Sequence, residues 1–247
     1  MIVDVALTNR FDNRDLKVEI NGSVTAIIDV VRATSTIATL FGGGVRSIVI
    51  AETLEEAFGY KKKYPEKLLC GEVKGHPHSG FDYGNSPLEF SKLDLSGKDV
   101  ILKTTNGTSS FLKAAGASAI YSLALLNFKV TLEKIMEKAS NLKKNILFIC
   151  SGENGSIAYD DAFVAGLAVR QILKKPEEFV FSDSAKLVLS STLGNLDIKS
   201  ALEKSISVKL IKQAGLGQDL LFCTKIDEYN VVVKAVVSGK TPKLLLD

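Results

Sequence analysis

The sequence predicts an α/β protein of three layers, α/β/α, with helices on both faces of a largely parallel or mixed sheet. Three observations carry that expectation. Short apolar runs rich in β-branched residues alternate with longer amphipathic stretches, the pattern of strand–helix units. The 247 residues suffice to bury a large core. Polar residues and glycines gather directly after several apolar runs, where the loops of such sheets bind ligands.

Taken in order, Ile2–Val5 reads as a first strand, and Val24–Val30 (VTAIIDV) as a buried strand ending at a carboxylate, Asp29. A helix is expected over Thr34–Phe41, stopped by the glycine run 42–44. Ser47–Ala51 is a strand. Thr53 caps the next helix, with Glu56 three residues on completing a capping box, and Pro65 closes it. Leu68–Cys70 is a short strand. The stretch 71–87, GEVKGHPHSGFDYGNSP, is glycine-rich and irregular, and a loop of this length inside a compact domain is usually functional. Val100–Leu102 is a strand, and TTNGT (104–108) leads into a helix near Ser109–Ala115. Ala119–Ser122 is a strand, and Asn127 is expected to cap a helix to about Asn141. Ile146–Cys150 is a strand, followed by the turn 151–155 and a helix over Ile157–Leu173. After Pro176 the pattern is helical through about Gln213, and Val231–Val237 is a late strand. No repeat of 20 to 50 residues and no low-complexity linker is found. One continuous domain over 1–247 is expected, with residues from about 176 as a peripheral helical subdomain.

Composition excludes several classes. Hydrophobic residues at 46% and charged residues at 24% argue against disorder. A net charge of +3 with no dense basic block gives no support for a nucleic-acid partner. No apolar run is long enough for a membrane span, and MIVDVALTNR, with no cationic region before an apolar stretch, is not expected to be a signal peptide. Cys70, Cys150 and Cys223 lack CxxC spacing and read as reduced, buried thiols of a cytoplasmic protein. Nothing in the sequence fixes the oligomeric state, and a homo-oligomer is left open.

Four strand ends carry the same kind of punctuation: DVVRATST (29–36), Gly71–Glu72, TTNGT (104–108), and SGENG (151–155) with Asp160–Asp161 beyond. Polar residues at four strand ends fit one convergent site. Each also has an ordinary reading, Asp29 as a helix cap, TTNGT and SGENG as plain turns, and Asp160–Asp161 as first-turn charges. Arg32 is one of five arginines, and its planar fork suits phosphate or carboxylate. In TTNGT and SGENG, small residues let backbone N–H groups reach an oxyanion while Thr and Ser hydroxyls add donors. The carboxylates Asp29, Glu72, Asp82, Asp160 and Asp161 are of the kind that hold a hard divalent cation. His76 and His78, lacking matching partners, read as plain loop residues. Walker, GxGxxG and GxSxG motifs are absent. A thiol phosphatase at Cys150 would need Arg at 156, which is Ser. An aspartyl-phosphate hydrolase at Asp29 would need Asp at 31, which is Val.

DVVRATST, GE followed by GFDYGNSP (80–87), TTNGT, SGENG with DD, and a late GxDLxFCx3D (217–227) occur in this order over nearly the whole chain. Together they make the chain resemble the 2-phosphosulfolactate phosphatase family. The resemblance implies a Mg²⁺-dependent phosphoric monoester hydrolase. It would release sulfolactate from a small anionic substrate in coenzyme M biosynthesis. Carried onto this sequence, it implies Asp29, Arg32 and Asp161 as catalytic residues. Substrate contacts fall to Thr34, Ser35, Asn85, Thr105, Asn106, Gly107, Thr108, Ser151 and Gly152. Asp29, Glu72, Asp82 and Asp161 are the implied Mg²⁺ ligands. The reaction could run through an aspartyl-phosphate at Asp29 or through metal-activated water. The chain departs from the family pattern over 205–212, SISVKLIK, and no site residue is assigned there. Two other expectations stand beside this one: a phosphatase of the same chemistry for another phosphorylated hydroxy acid, and a non-catalytic binder of anionic metabolites.

Overall fold

The computed structural model describes residues 1–194, 197–239 and 241–247. Strand β1 (Ile2–Ala6) is followed by β2 (Val24–Ile28), α1 (Ala33–Gly42), β3 (Ser47–Ile50), α2 (Leu54–Lys63) and β4 (Leu68–Gly71). After the long loop and the short α3 (Pro87–Phe90) come β5 (Asp99–Lys103), α4 (Gly107–Lys113), β6 (Ala119–Leu123), α5 (Phe128–Leu142) and β7 (Ile146–Cys150). The remainder holds α6 (Tyr159–Ile172), β8 (Val180–Phe181), α7 (Asp183–Ser190), α8 (Ile198–Leu202), α9 (Ile206–Gln213), α10 (Gln218–Cys223), β9 (Val233–Ser238) and β10 (Thr241–Leu246). Residues 195 and 196, within the stretch expected to be helical, lie outside the described residues.

Local chemistry sets these bounds. β2 (VTAII) and β7 (ILFIC) are apolar but for Thr25, and every residue of both strands is buried. Thr53 Oγ1 accepts from the Glu56 N–H at 3.1 Å and starts α2. The Glu56 carboxylate takes the Glu52 N–H instead of that of Thr53, so the expected box is half made. Asn127 does not cap α5 through its side chain. Its amide is spent on the Ala124 N–H and the Ser122 and Val231 carbonyls, tying β6 to the segment before β9.

The ten strands among the described residues form one mixed sheet, ordered β4-β5-β3-β10-β9-β6-β2-β7-β1-β8. Pairing is parallel within β4-β5-β3 and within β6-β2-β7-β1-β8. The hairpin β9–β10 joins the two blocks through three antiparallel steps, so the blocks run in opposite directions. The order reads alike from either side of that hairpin: β10-β3-β5-β4 one way and β9-β6-β2-β7 the other. The matching units are β2-α1-β3-α2-β4 and β5-α4-β6-α5-β7. Each unit has given its first strand to the other's block, because β5 lies between β3 and β4 and β2 between β6 and β7.

This exchange places the site. Helices α1 and α4 must each cross from one block to the other, and both pack on the same face of the sheet. Ile37, Leu40 and Phe41 of α1, Phe111 of α4 and Ala114 just after it share one core with Ile48, Ile120, Val233 and Leu244. The other face is covered by α5, α6 and α7 over β1, β2 and β7, and by Ala57 of α2 over Leu69 and Ile101. Three layers result, with α1 and α4 meeting near the centre.

Candidate active site

The starts of α1 and α4 come into contact where β2 and β5 end. A Cβ on Gly107 would lie 2.7 Å from Ala33 Cβ and 2.9 Å from Asp29 Oδ2, closer than side chains pack, so only glycine fits. The two strand ends are built alike. Asp29 accepts the Ala33 N–H on Oδ1 at 3.1 Å, and Thr34 Oγ1 closes on the Asp29 N–H and carbonyl at 3.2 and 2.9 Å. In the second unit Thr104 Oγ1 accepts the Thr108 N–H at 3.2 Å, and Thr108 Oγ1 closes on the Thr104 N–H and carbonyl, both at 3.2 Å. The first end carries a carboxylate where the second carries a hydroxyl.

Burial dominates the electrostatics of Asp29 and pushes its carboxyl up to about 7. The Ala33 N–H opposes this, while the charges of Asp160, Glu72 and Glu153 add to it. Asp161 is raised well above the carboxylate range by burial and then by Asp160 and Asp29. Its oxygens accept from the Val30 N–H at 2.9 Å and the Gly152 N–H at 3.0 Å, so it clamps the end of β2 to the end of β7. Asp160 is raised by burial against the hydroxyl of Ser205, which donates to it at 2.5 Å.

A cavity of about 410 Å³ opens above Asp29. Arg32 reaches it from the start of α1, and the Val31–Arg32 peptide before it is cis. Its guanidinium is buried and donates to Asp219 of α10 at 2.8 Å and to the Gly75 carbonyl at 3.3 Å. Ser86 Oγ donates to the other Asp219 oxygen at 2.5 Å. Glu72 lines the cavity with both oxygens engaged, by the Thr105 N–H at 2.5 Å, the Thr105 hydroxyl at 2.9 Å and the Gly75 N–H at 2.5 Å. Two matching turns flank the opening, Val73–His76 after β4 and Glu153–Ser156 after β7. Their central residues, Lys74–Gly75 and Asn154–Gly155, all have positive φ, the type I′ form. Asn85 also lines the cavity, 5% exposed, and its Oδ1 is buried with no partner among the described residues.

The expected residues divide by what they do here. Asp29, Arg32, Glu72, Asn85, Thr105 and Asn106 line the cavity. Thr34, Ser35 and Thr108 instead shape the strand ends, Ser35 donating to the Val30 carbonyl at 2.7 Å. Ser151 is fully buried on Ser110, 2.7 Å between hydroxyls, and Gly152 serves the Asp161 clamp. Asp161 therefore positions Asp29's strand from behind. Asp82 is not brought to the cavity at all. It accepts from Lys61 at 2.9 Å and from the Leu69 N–H at 2.7 Å, tying α2 to β4. His78 packs between Phe58 and Phe81, whereas His76 lines the opening. The stretch 205–212, given no role by the sequence, contributes Ser207, Leu210 and Ile211 to one wall. Sequence reasoning also passed over Lys74, Glu153 and Asp219. The signals for Asp219 were its place in the late GxDLxFCx3D motif, which was given no role, and a scarce arginine in need of a carboxylate.

Among the described residues no group of three or more His, Cys, Asp or Glu is set to hold a metal ion. Of the expected ligands, Asp82 and Asp161 are turned elsewhere and both Glu72 oxygens are engaged, so a Mg²⁺ here would be held by Asp29, through the oxygen that Ala33 does not hold, joined by the half-buried Glu153, which was not among the expected ligands. Two carboxylates would suit Mg²⁺, which uses one or two and takes its remaining ligands from water and phosphate.

Fold and site define an α/β protein with a small-molecule site at converging strand ends, centred on a buried carboxylate and an arginine. The profile of the 2-phosphosulpholactate phosphatase family matches residues 11–237, and the chain belongs to that family. Relatives named as probable 2-phosphosulfolactate phosphatases include those of Pseudothermotoga lettingae, 33% identical over 85% of this chain and 88% of theirs, and Thermotoga maritima, 33% over 86% and 88%. That of Clostridium perfringens strain 13 is 32% identical over 97% of this chain and 98% of its own. Family membership brings hydrolase chemistry in general.

Proposed function

We propose that this chain hydrolyses 2-phosphosulfolactate with Mg²⁺, giving sulfolactate and phosphate, in the cytoplasm and as a step toward coenzyme M. Water adds to phosphorus, the ester P–O bond breaks, and the alcohol oxygen takes a proton. The observation that carries this reading is Asp29. Its Oδ1 is held by the Ala33 N–H, its backbone is caged by Thr34, and its burial leaves it with a proton affinity matched to neutral pH. Bound Mg²⁺ would neutralise phosphoryl oxygens and lower the proton affinity of a water. Asp29 meets the phosphoryl group at the cavity floor. Arg32, fixed by Asp219, presents its remaining N–H groups to an anion. Gly107 keeps the floor open, and Asp161 holds the β2 and β7 ends in register.

A second reading, the same chemistry on another phosphorylated hydroxy acid, is favoured by one observation. The wall from α9 offers no cation: Leu210 and Ile211 are apolar and Ser207 and Gln213 are neutral, so a sulfonate would find no charged partner on that side.

Phosphate release from 2-phosphosulfolactate and from 2-phospholactate, before and after EDTA, tests both. The proposal expects release that stops with EDTA and returns with Mg²⁺. Faster release from the simpler ester selects the second reading. Tight binding of both esters with no release at any cation concentration would leave only a metabolite-binding protein.

A further inference from the structure

We propose that Lys74 grips the non-reacting oxyanion of the substrate, its carboxylate or sulfonate, at the rim of the cavity. The inference rests on the reading of the site as one for a phosphorylated hydroxy acid.

The two turns that flank the opening make the case. Lys74 and Asn154 occupy the same place, the first central residue of a type I′ turn, at φ 51 and φ 52. Gly, Asn and Asp suit that position, and a lysine there strains the backbone without serving the turn. Their backbones also do the same work on the segment after β5. The Lys74 N–H donates to Thr105 Oγ1 at 3.0 Å, and the Asn154 N–H donates to Asn106 Oδ1 at 3.3 Å. What distinguishes position 74 is therefore the side chain.

Lys74 is among the residues that line the cavity, and it is exposed. The other lining cation, Arg32, is matched by Asp219 at 2.8 Å. Lys103 is turned inward, its ammonium on the Thr104 carbonyl at 3.1 Å. Lys74 forms no ion pair among the described residues. Depth orders the site: Asp29 is 8% exposed at the floor, while Lys74 is exposed at the rim. The phosphoryl group belongs with Asp29, so the rim cation falls to the group at the other end of the substrate. The Gly75 carbonyl, one residue on, accepts from Arg32 and ties rim to floor.

Lys74→Asn copies the residue that the second turn already holds, so the variant keeps the fold. It should raise KM for 2-phosphosulfolactate about tenfold, as loss of one partly exposed ionic contact does, with kcat within about threefold. Lys74→Arg should restore most of the affinity. KM for p-nitrophenyl phosphate, which has neither carboxylate nor sulfonate, should not move. A rise for 2-phospholactate as well assigns the contact to the carboxylate. A rise for the sulfonate ester alone assigns it to the sulfonate. Equal rises for all three esters, or none, overturn the proposal. Calorimetric binding of sulfolactate and lactate to wild type and Lys74→Asn asks the same question without turnover. A chain that binds these acids through Lys74 but releases no phosphate refutes the phosphatase reading and leaves the rim contact standing.

Discussion

The two strand ends that meet at the cavity floor share a backbone and differ in one functional group. After β2, a threonine hydroxyl closes on the N–H and carbonyl of Asp29. After β5, another closes on those of Thr104. Asp29 and Thr104 each accept the N–H four residues on. A neutral hydroxyl is at ease in that buried place, whereas a carboxylate is pushed up to about 7. The comparison separates scaffold from chemistry: the cage is common to both halves, and only one half has been given a group that strains against its surroundings. Asp161 shows the same conflict but spends its oxygens on two backbone N–H groups, so it is the conflict together with a place on the cavity that singles out Asp29 as the candidate reacting residue.

Making the first end as neutral as the second is the strongest way to break the comparison. Asp29→Asn should lower kcat by about 10³-fold or more, with Mg²⁺ saturating. Its stability should move the other way. The folded pKa of Asp29, about 7, lies above the unfolded value, so its stabilising share is complete at about pH 3.9 and below and is lost as pH rises through 7. In EDTA the variant should thus melt above wild type at pH 8, with little difference at pH 4. Each unit of that shift is worth about 1.4 kcal/mol. A variant that keeps most of its kcat removes Asp29 from the chemistry. One that melts lower at pH 8 shows that the carboxylate is not the strained group.

The contact between the halves comes next. Gly107→Ala drives a methyl group toward Ala33 and toward Asp29 Oδ2. A displacement of the reacting carboxylate by about 1 Å accounts for roughly 10²-fold in rate, and overpacking costs about 1–3 kcal/mol in stability. Adding Ala33→Gly removes one of the two collisions. The double variant should recover thermal stability but not kcat, since the carboxylate remains crowded. Recovery of both would place the whole effect in helix packing.

The sequence showed the strand ends and hid the symmetry that joins them. VTAIID reads as a buried strand with a carboxylate at its tip because the apolar run needs no tertiary context, and Asp29 and Arg32 follow at once. The correspondence between units survives only as backbone: DVVRATST and TTNGT share a closing threonine but little else. The exchange of β2 and β5 is a matter of sheet order, which no local pattern encodes. β10 was missed because TPKLLL carries a proline and no clean alternation, yet it pairs with both β3 and β9. Carboxylates were counted correctly but not aimed. Asp29, Asp82 and Asp161 look alike in a string, and it takes the packing to turn one toward the cavity, one toward a lysine and one toward two backbone N–H groups.

Arg32 sharpens the division between floor and walls. Its fork is split between Asp219 and the Gly75 carbonyl, which fixes the plane it shows to a ligand. Lysine keeps the charge but has no fork, so Arg32→Lys should raise KM about tenfold while kcat falls less. Unchanged steady-state kinetics would make the arginine a structural partner of Asp219 alone.

The smallest effect is expected at Asp82, and it separates a carboxylate of the scaffold from one of the site. Burial raises its pKa, but the Lys61 ammonium and the Leu69 N–H prevail and hold it below the usual range. Asp82→Asn keeps an oxygen for the Leu69 N–H and loses only the ion pair with Lys61, whose side chains are 37% and 29% exposed. Solvent screens such a pair, so the loss should be under about 1 kcal/mol at pH 7. Because the folded pKa is lowered, the pair's contribution is present above about pH 4 and is lost as pH falls below it through the folded value, so the melting temperatures of variant and wild type should draw together as the pH is lowered. Phosphate release and its Mg²⁺ dependence should stay within about twofold of wild type, the scatter expected for a surface substitution away from the site. A marked loss of Mg²⁺ affinity in Asp82→Asn would mean that the loop 72–87 rearranges when the cation binds, bringing Asp82 to a cavity from which it is now turned away.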